Sequence, residues 1–196
     1  MNSIKKQKTK LALFASGTGS NVFNIITHFN NSESIEVALV LSNKATAGAL
    51  NHAQNAGIQS QHFNRDDFFE SNNVLELLKT ENIDYVILAG FLWKIPQNIL
   101  SHFENKILNV HPSLLPKYGG KGMYGHHVHN AVLLHKEKET GITIHVVNDK
   151  YDDGAIIAQA KCVIAEDETL ETLQKKISKL EKENFPTTIE QFIKNN

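Results

Sequence analysis

Short apolar runs alternate with amphipathic stretches along most of the chain, and this alternation restricts its fold more than any other feature. Apolar runs with few polar residues are typical of strands buried on both faces, and amphipathic stretches are typical of the helices that cover them. The pattern predicts an α/β protein with a doubly wound, mostly parallel sheet. We expect strands at 11–16, 35–42, 58–63, 85–90 and 106–110, and helices at 20–29, 47–57, 66–80, 96–104 and 129–136.

The C-terminal part of the chain departs from this alternation. Two apolar runs, 141–148 and 154–165, follow each other across an Asp- and Gly-containing connection, which predicts an antiparallel hairpin. A closing helix is expected at about 169–194, with Thr169 as its cap and Pro186 as a break or kink. The chain has 196 residues without repeats or a linker-like segment, so we expect one domain over 1–196, with 1–9 as a flexible N-terminus.

The composition argues against several classes of protein. A formal net charge of −1 gives no field that would favour nucleic acid or an anionic membrane. No apolar run approaches the roughly 20 residues of a membrane-spanning helix. Cys162 is the only cysteine, which excludes an internal disulfide and fits a reducing cytoplasm. Arg65 is the only arginine, so a phosphorylated substrate would be bound mainly by backbone amides and lysine.

A glycine-rich loop separates the first predicted strand from the first helix. Gly17, Thr18, Gly19, Ser20 and Asn21 form it, in the sequence "FASGTGSN". Glycines let a backbone approach a ligand closely, and a helix N-terminus offers free N–H groups to an anion. The loop lacks the third glycine of a dinucleotide fingerprint and the Gly-Lys-Ser/Thr ending of a P-loop. A phosphate monoester site is the functional interpretation, and a plain turn with Ser20 as helix cap is the structural one.

Polar side chains stand at the end of the fifth predicted strand, in "LNVHPSLLP". Asn109 and His111 are two residues apart, so both can project from the same face. An amide can donate to an oxyanion, and an imidazole can exchange a proton near neutral pH. The alternative is that Asn109 satisfies a backbone group and His111 is a packed histidine. The hairpin connection adds three aspartates, and spacing does not select which of them would serve His111: Asp149, Asp152 and Asp153.

A histidine-rich segment raises the possibility of a zinc site. It contains His126, His127, His129 and His135. The segment has no His-Glu-x-x-His pattern and no neighbouring cysteine cluster, so we expect no metal there. A glycine-rich loop over 119–127, followed by a polar helix start, is the simpler interpretation.

Four separate motifs together resemble the phosphoribosylglycinamide formyltransferase family. They read "FASGTGSN", "LAGFLW", "LNVHPSLLPKYGG" and "GITIHVVNDKYDDGAIIAQ", and the resemblance extends from about 11 to 190. It implies a Rossmann-like formyltransferase fold and formyl transfer from 10-formyltetrahydrofolate to the amine of glycinamide ribonucleotide in purine biosynthesis. It also implies that these two small molecules are the partners, that no metal is needed, and that the protein is a cytoplasmic monomer or homodimer.

The resemblance assigns roles to individual positions. Asn109 matches the oxyanion-stabilising residue, His111 the catalytic histidine and Asp152 the aspartate of the hairpin. The loop from Gly17 to Asn21 matches the phosphate-binding segment, and Glu181 matches a residue that contacts the ribose. The pterin-binding segment corresponds to Gly90, Phe91, Leu92, Trp93, Lys94 and Ile95. Trp93 and Lys94 stand where many members have Met-Arg, so the resemblance implies backbone contacts to the pterin but does not carry over the side-chain contacts of that pair.

Two other functions remain open at this stage. A formyltetrahydrofolate deformylase would pass the formyl group to water, and such relatives carry an added N-terminal domain. Only about ten residues precede the first predicted strand here, so the transferase is favoured. A non-catalytic nucleotide-binding module on the same fold would keep the glycine loop, but it would not require Asn109, His111 and Asp152 together.

Overall fold

The computed structural model describes residues 7–196, and these divide into two compact units. The first unit runs to Phe91 and includes Ser101–Lys106, and the second contains Leu92–Leu100 and Ile107–Asn196. Of the expected flexible segment 1–9, residues 1–6 lie outside the described residues, and Thr9 already begins a strand. The expectation of one domain over 1–196 stays a prediction.

The first unit has the alternating pattern that the sequence predicts. Its elements are β1 (Thr9–Ala15), α1 (Ser20–Phe29), β2 (Ile35–Ser42), α2 (Gly48–Asn55), β3 (Gln59–His62), α3 (Arg65–Phe69), α4 (Asn73–Thr80) and β4 (Tyr85–Leu88), followed in the chain by α5 (Gln97–His102). The strands are ordered β3-β2-β1-β4, and β1 pairs in parallel with β2 and β4, as β2 does with β3.

Aromatic rings fill the core beside the central strand β1. The Phe14 ring contacts those of Phe63, Phe68 and Phe91, with centroid distances of 5.3–6.2 Å. Residues Leu11–Ala15 have no exposed surface, so this strand is buried on both faces. A parallel strand covered on both sides requires a continuous apolar run, which explains why the run at 11–16 predicted it correctly.

One predicted helix, 66–80, is wrong because the chain forms two helices there. Asn64 caps α3 through a capping box with Asp67, and α3 ends at Phe69. The side chains of Ser71 and Asn73 then form local hydrogen bonds. The Ser71 hydroxyl accepts from the backbone N–H of Asn73, and the Asn73 Nδ2 donates to the Asp67 carboxylate. Short polar side chains that bond nearby backbone compete with helix propagation, so the helix is interrupted between Phe69 and Asn73.

The second unit contains the antiparallel part of the fold. It consists of β5 (Ile107–His111), α6 (His126–Leu134), β6 (Glu139–Val146), β7 (Ile156–Val163) and α7 (Leu170–Asn195). β6 pairs with both β5 and β7 in antiparallel register, which confirms the predicted hairpin. Thr169 caps α7 as expected, but the helix continues through Pro186 rather than ending there.

The expected α/β class is therefore confirmed, with parallel strands first, antiparallel strands after them and a closing helix. Among residues 7–196, no helix has both the length and the apolar character that crossing a membrane requires.

Candidate active site

The glycine loop lies in the first unit, between the end of β1 and the start of α1. Gly19 occupies the N-cap position of α1 with a φ of +82°, and Ser20 is the first helical residue, so the interpretation of Ser20 as the cap is wrong. A Cβ on Gly19 would lie 2.5 Å from the Ala49 Cα, so only glycine fits this close approach. Gly17 and Thr18 are exposed, and the N-cap residue Gly19 has no side chain with which to cap the helix.

The segment that the resemblance assigns to the pterin begins in the same unit. Gly90 has a φ of +79°, and its carbonyl accepts a hydrogen bond from the Ser16 amide at 3.0 Å. This bond joins the segment after β4 to the residue that precedes the glycine loop. Phe91 is buried in the aromatic core, so its side chain has a packing role.

The rest of that segment belongs to the second unit. Leu92 and Lys94 are exposed, whereas Ile95 is buried. The Lys94 ammonium lies over the Tyr151 ring, 5.9 Å from its centroid, in a cation–π arrangement. Trp93 is half-buried. Of the two residues that stand in place of the Met-Arg pattern, Trp93 is thus partly covered and Lys94 has an exposed side chain over Tyr151.

Asn109 and His111 lie on β5 beside residues of the neighbouring strand β6. The antiparallel register pairs Asn109 with His145 and His111 with Thr143. His111 is 3% exposed and Asn109 is half-buried. The Asn109 Nδ2 lies 3.1 Å from the His145 Nε2, and the His111 Nε2 lies 2.8 Å from the Tyr118 carbonyl oxygen. Both predicted residues are therefore held by specific hydrogen bonds.

Asp152 is the aspartate that faces His111. Its Oδ2 lies 3.4 Å from the His111 Nδ1 and accepts a hydrogen bond from the Gly120 amide at 2.9 Å. Asp152 has a φ of +53°, a strained conformation for a residue other than glycine and one that is common at functional sites. By contrast, Asp149 is exposed, and Asp153 is exposed and pairs with Lys150.

The electrostatics of His111 combine opposing effects. Burial lowers its pKa and is the largest influence, while the Asp152 charge and the hydrogen bond to the Tyr118 carbonyl raise it. His145 adds a smaller lowering effect. Because a carbonyl oxygen only accepts, the His111 Nε2 carries a proton, and Nδ1 faces the carboxylate.

Tyr118 supplies the carbonyl that binds His111, and its own side chain anchors the loop in which it lies. Its φ is +58°, which directs its carbonyl to His111. Its hydroxyl donates to Glu137 and contacts the His135 Nδ1, each at 2.9 Å, and Lys117 pairs with Glu137 as well. Burial, followed by the hydrogen bond to Glu137 and then the Glu137 charge, raises the pKa of Tyr118 to about 12. The phenol therefore stays protonated near neutral pH and serves as a structural donor.

The histidine-rich segment is dispersed in the structure. His126 and His127 are exposed at the start of α6, His129 is buried on that helix, and His135 contacts Tyr118. Within the part of the chain that the structure describes, no group of three His, Cys, Asp or Glu side chains could hold a metal ion. Glu181 lies half-buried on α7, and its expected contact with a ribose stays a prediction.

Sequence reasoning missed two residues of this cluster, His145 and Tyr118. His145 is 2% exposed, and its Nε2 lies 3.8 Å from the Asp152 Oδ1. A signal for His145 was present, because "GITIHVV" places a histidine within a buried apolar strand two residues from Thr143. Its position opposite Asn109, however, depends on the register of β5 and β6, which the sequence alone did not fix.

Comparison with known proteins gives a consistent result. The sequence model of the family described as Formyl transferase matches residues 9–189. Similar proteins include "Phosphoribosylglycinamide formyltransferase, chloroplastic" of Arabidopsis thaliana, with 37% identity over 90% of this chain and 62% of the plant protein. Phosphoribosylglycinamide formyltransferase of Haemophilus influenzae is 34% identical over 93% of this chain and 86% of its own length. The chain thus spans less than two thirds of the plant relative.

A solved structure agrees with this similarity. The crystal structure of phosphoribosylglycinamide formyltransferase from Bacillus Halodurans superposes with a TM-score of 0.85 at 33% identity, over 94% of this chain and 95% of that one. The match extends over both described units.

Proposed function

The chain belongs to the formyl transferase family, and on this premise we propose that it transfers the formyl group of 10-formyltetrahydrofolate to the amine of glycinamide ribonucleotide, a step of purine biosynthesis. The names of the relatives support this acceptor. The observation that carries the proposal is the convergence of an amide, an imidazole and a carboxylate at the end of β5, namely Asn109, His111 and Asp152.

These three groups suit attack of an amine on a formyl carbon. The amine nitrogen forms a bond to that carbon, and the carbonyl electrons move onto oxygen. Asn109 donates an N–H to the resulting oxyanion, and His111, whose pKa burial lowers in the free protein, would add positive charge if it takes up a proton as the oxyanion forms. The bond between the formyl carbon and the folate N10 then breaks. No nucleophilic side chain is needed, because the amine is itself the nucleophile.

Asp152 is proposed to orient His111 and to move the proton. The attacking amine must lose one proton, and the leaving N10 must gain one. A carboxylate beside a histidine can accept that proton, directly or through water, and return it to N10. The distance of 3.4 Å between the His111 Nδ1 and the Asp152 Oδ2 is within ion-pair range and supports a joint role for the two residues. The backbone N–H of Gly120 holds the same carboxylate oxygen in place.

The other predicted residues are proposed to bind the substrates. The amides of the loop Gly17–Asn21 would bind the substrate phosphate, since this loop leads into the start of α1, where the helix dipole favours an anion. Glu181 would contact the ribose. The segment Gly90–Ile95 would bind the pterin mainly through backbone groups. We further propose a single domain, a cytoplasmic location, and a monomer or homodimer that takes these two small-molecule substrates.

The test is formyl transfer from 10-formyltetrahydrofolate, followed by absorbance, with and without glycinamide ribonucleotide. Asp152→Asn and Asp153→Asn form a matched pair, because asparagine tolerates the positive φ of Asp152. We expect Asp152→Asn to lower kcat by about 10²-fold or more. Asp153→Asn should change it by less than about twofold, since Asp153 is exposed and its ion pair with Lys150 lies at the surface.

The other outcomes separate the alternatives. Formyl release that proceeds equally well without glycinamide ribonucleotide would identify a deformylase. Absence of turnover in a folded protein that still binds the folate would favour a non-catalytic binding module. Equal losses in the Asp152 and Asp153 variants would contradict the proposed role of Asp152.

A further inference from the structure

His145 is a buried histidine beside the proposed catalytic residues, but formyl transfer as described above assigns it no role. It is 2% exposed, and its partner across β5 and β6 is Asn109. A polar ring in such a position costs free energy unless hydrogen bonds satisfy it. Both of its ring nitrogens have hydrogen-bond partners, and these partners define which nitrogen of the neutral ring carries the proton.

The two hydrogen bonds of His145 select one neutral tautomer. Its Nδ1 lies 2.9 Å from the Val146 carbonyl oxygen, which can only accept, so Nδ1 carries the proton. Its Nε2 lies 3.1 Å from the Asn109 Nδ2, which can only donate, so Nε2 presents a lone pair. Each bond requires the same tautomer, and the arrangement is internally consistent.

This tautomer also determines how the Asn109 amide is turned. A lone pair on the His145 Nε2 attracts the Asn109 –NH₂ group and repels its carbonyl oxygen. One N–H of Asn109 is thereby engaged, and the second N–H stays available to another acceptor. The opposite orientation of the amide would present an oxygen, which would repel a developing oxyanion.

We propose that His145 is a positioning residue that holds Asn109 in the orientation required to stabilise the oxyanion. This inference rests on the proposed function, because it assigns to Asn109 the donation to the reacting oxygen. His145 itself does not touch the reacting atoms. Its effect on turnover passes through Asn109, and this dependence makes the proposal testable.

The experiment is a double-mutant cycle of His145→Phe and Asn109→Ala, with His145→Gln as the conservative variant. Phenylalanine fills the volume of the ring without a nitrogen, and glutamine restores an acceptor. We expect Asn109→Ala to lower kcat by about 10²–10³-fold, and His145→Phe to lower it by about 10–10²-fold with little change in either KM. In the Asn109→Ala background, His145→Phe should cost less than about threefold.

His145→Gln should recover part of the activity that His145→Phe loses. A purely structural role would instead give additive losses, with a parallel fall in thermal stability. Additive losses in the cycle, or equal activity of the phenylalanine and glutamine variants, would overturn the proposal. A changed pH profile of kcat in His145→Phe would assign His145 to proton transfer and would also overturn it.

A second measurement does not depend on turnover. Nitrogen-15 NMR of the histidine rings should show His145 protonated at Nδ1 near neutral pH, and Asn109→Ala should shift its Nε2 resonance. If the wild-type protein transfers no formyl group, the proposed function fails, and this spectrum still reports the tautomer. If transfer is normal but Nε2 carries the proton, the positioning role alone is refuted.

Discussion

Replacing Thr143 with valine would remove three hydrogen bonds that attach the loop after β5 to the sheet. The Thr143 hydroxyl donates to the Ser113 carbonyl at 2.7 Å and accepts from the Leu115 amide and the Gln159 side chain, each at 2.9 Å. One donor and two lone pairs are thus all in use. Thr143 and Ser113 have no exposed surface, so water cannot replace the lost partner.

The cost of this substitution follows from the groups left behind. Valine has nearly the shape of threonine, so the change in packing is small. The Leu115 N–H and the Ser113 carbonyl would each lose a buried partner, at about 1–3 kcal/mol apiece, which gives about 2–6 kcal/mol in total. Gln159 adds little, because its amide keeps the Leu115 carbonyl as a partner. Thr143→Ser keeps the hydroxyl and should cost only about 1 kcal/mol for the methyl group.

Urea denaturation of the wild type and both variants measures these differences as shifts of the midpoint at constant m-value. Turnover should fall in the valine variant as well, because the same loop carries the Tyr118 carbonyl that accepts from His111. A valine variant as stable as the serine variant would refute the reasoning. It would mean that the loop relaxes to find other partners for the Leu115 amide.

Two further predictions concern the glycine loop and the buried histidines. Gly19→Ala should lower the free energy of unfolding by about 1–3 kcal/mol, because its φ of +82° and the contact with Ala49 exclude a Cβ. Gly17→Ala should change the free energy of unfolding by less than about 1 kcal/mol, because a Cβ at Gly17 meets nothing within 4 Å. Equal urea midpoints for the two variants would contradict this prediction. Burial lowers the pKa of both His111 and His129 below the usual 6.5, so the unfolded chain binds more protons as the pH falls. The free energy of unfolding should therefore decrease below pH 6.5 and level off below the folded-state pKa values, with a slope of up to about 1.4 kcal/mol per pH unit for each histidine. Urea titrations between neutral and acidic pH should show a smaller slope in His129→Leu, and an unchanged slope would assign the acid sensitivity to other groups.

Local pattern was sufficient for most of the fold. The helix at Ser20–Phe29 and the strand at Ile35–Ser42 have the bounds that the sequence predicts. Both have strong periodicity and clear ends, and their burial follows directly from it. The interruption between α3 and α4 was missed because it depends on side-chain hydrogen bonds of Asn64, Ser71 and Asn73 rather than on hydrophobic periodicity.

The residues of the candidate site also differ in whether local pattern could predict them. Asn109 and His111 could be predicted from one strand, since a period of two places them on one face. Spacing alone could not select Asp152 over Asp149 and Asp153, and only the resemblance pointed to it, because the choice depends on the path of the hairpin connection and on the positive φ of Asp152. The role of His145 could not be predicted for a similar reason, since its pairing with Asn109 depends on the register between strands that are far apart in sequence.

The register of β6 links the stability of the sheet to the chemistry of the site. Thr143 and His145 share one face of β6 and support the loop after His111 and the side chain of Asn109 respectively. A slip of one residue would present Ile144 on that face instead, and both supports would be lost together. Gly141 opposes such a slip, because a Cβ at its position would lie 1.9 Å from the Ala160 carbonyl oxygen, so a side-chain-bearing neighbour cannot take its place. The backbone contact between β6 and β7 therefore fixes the register that β5 requires, and residues outside the reacting centre determine where its donors point.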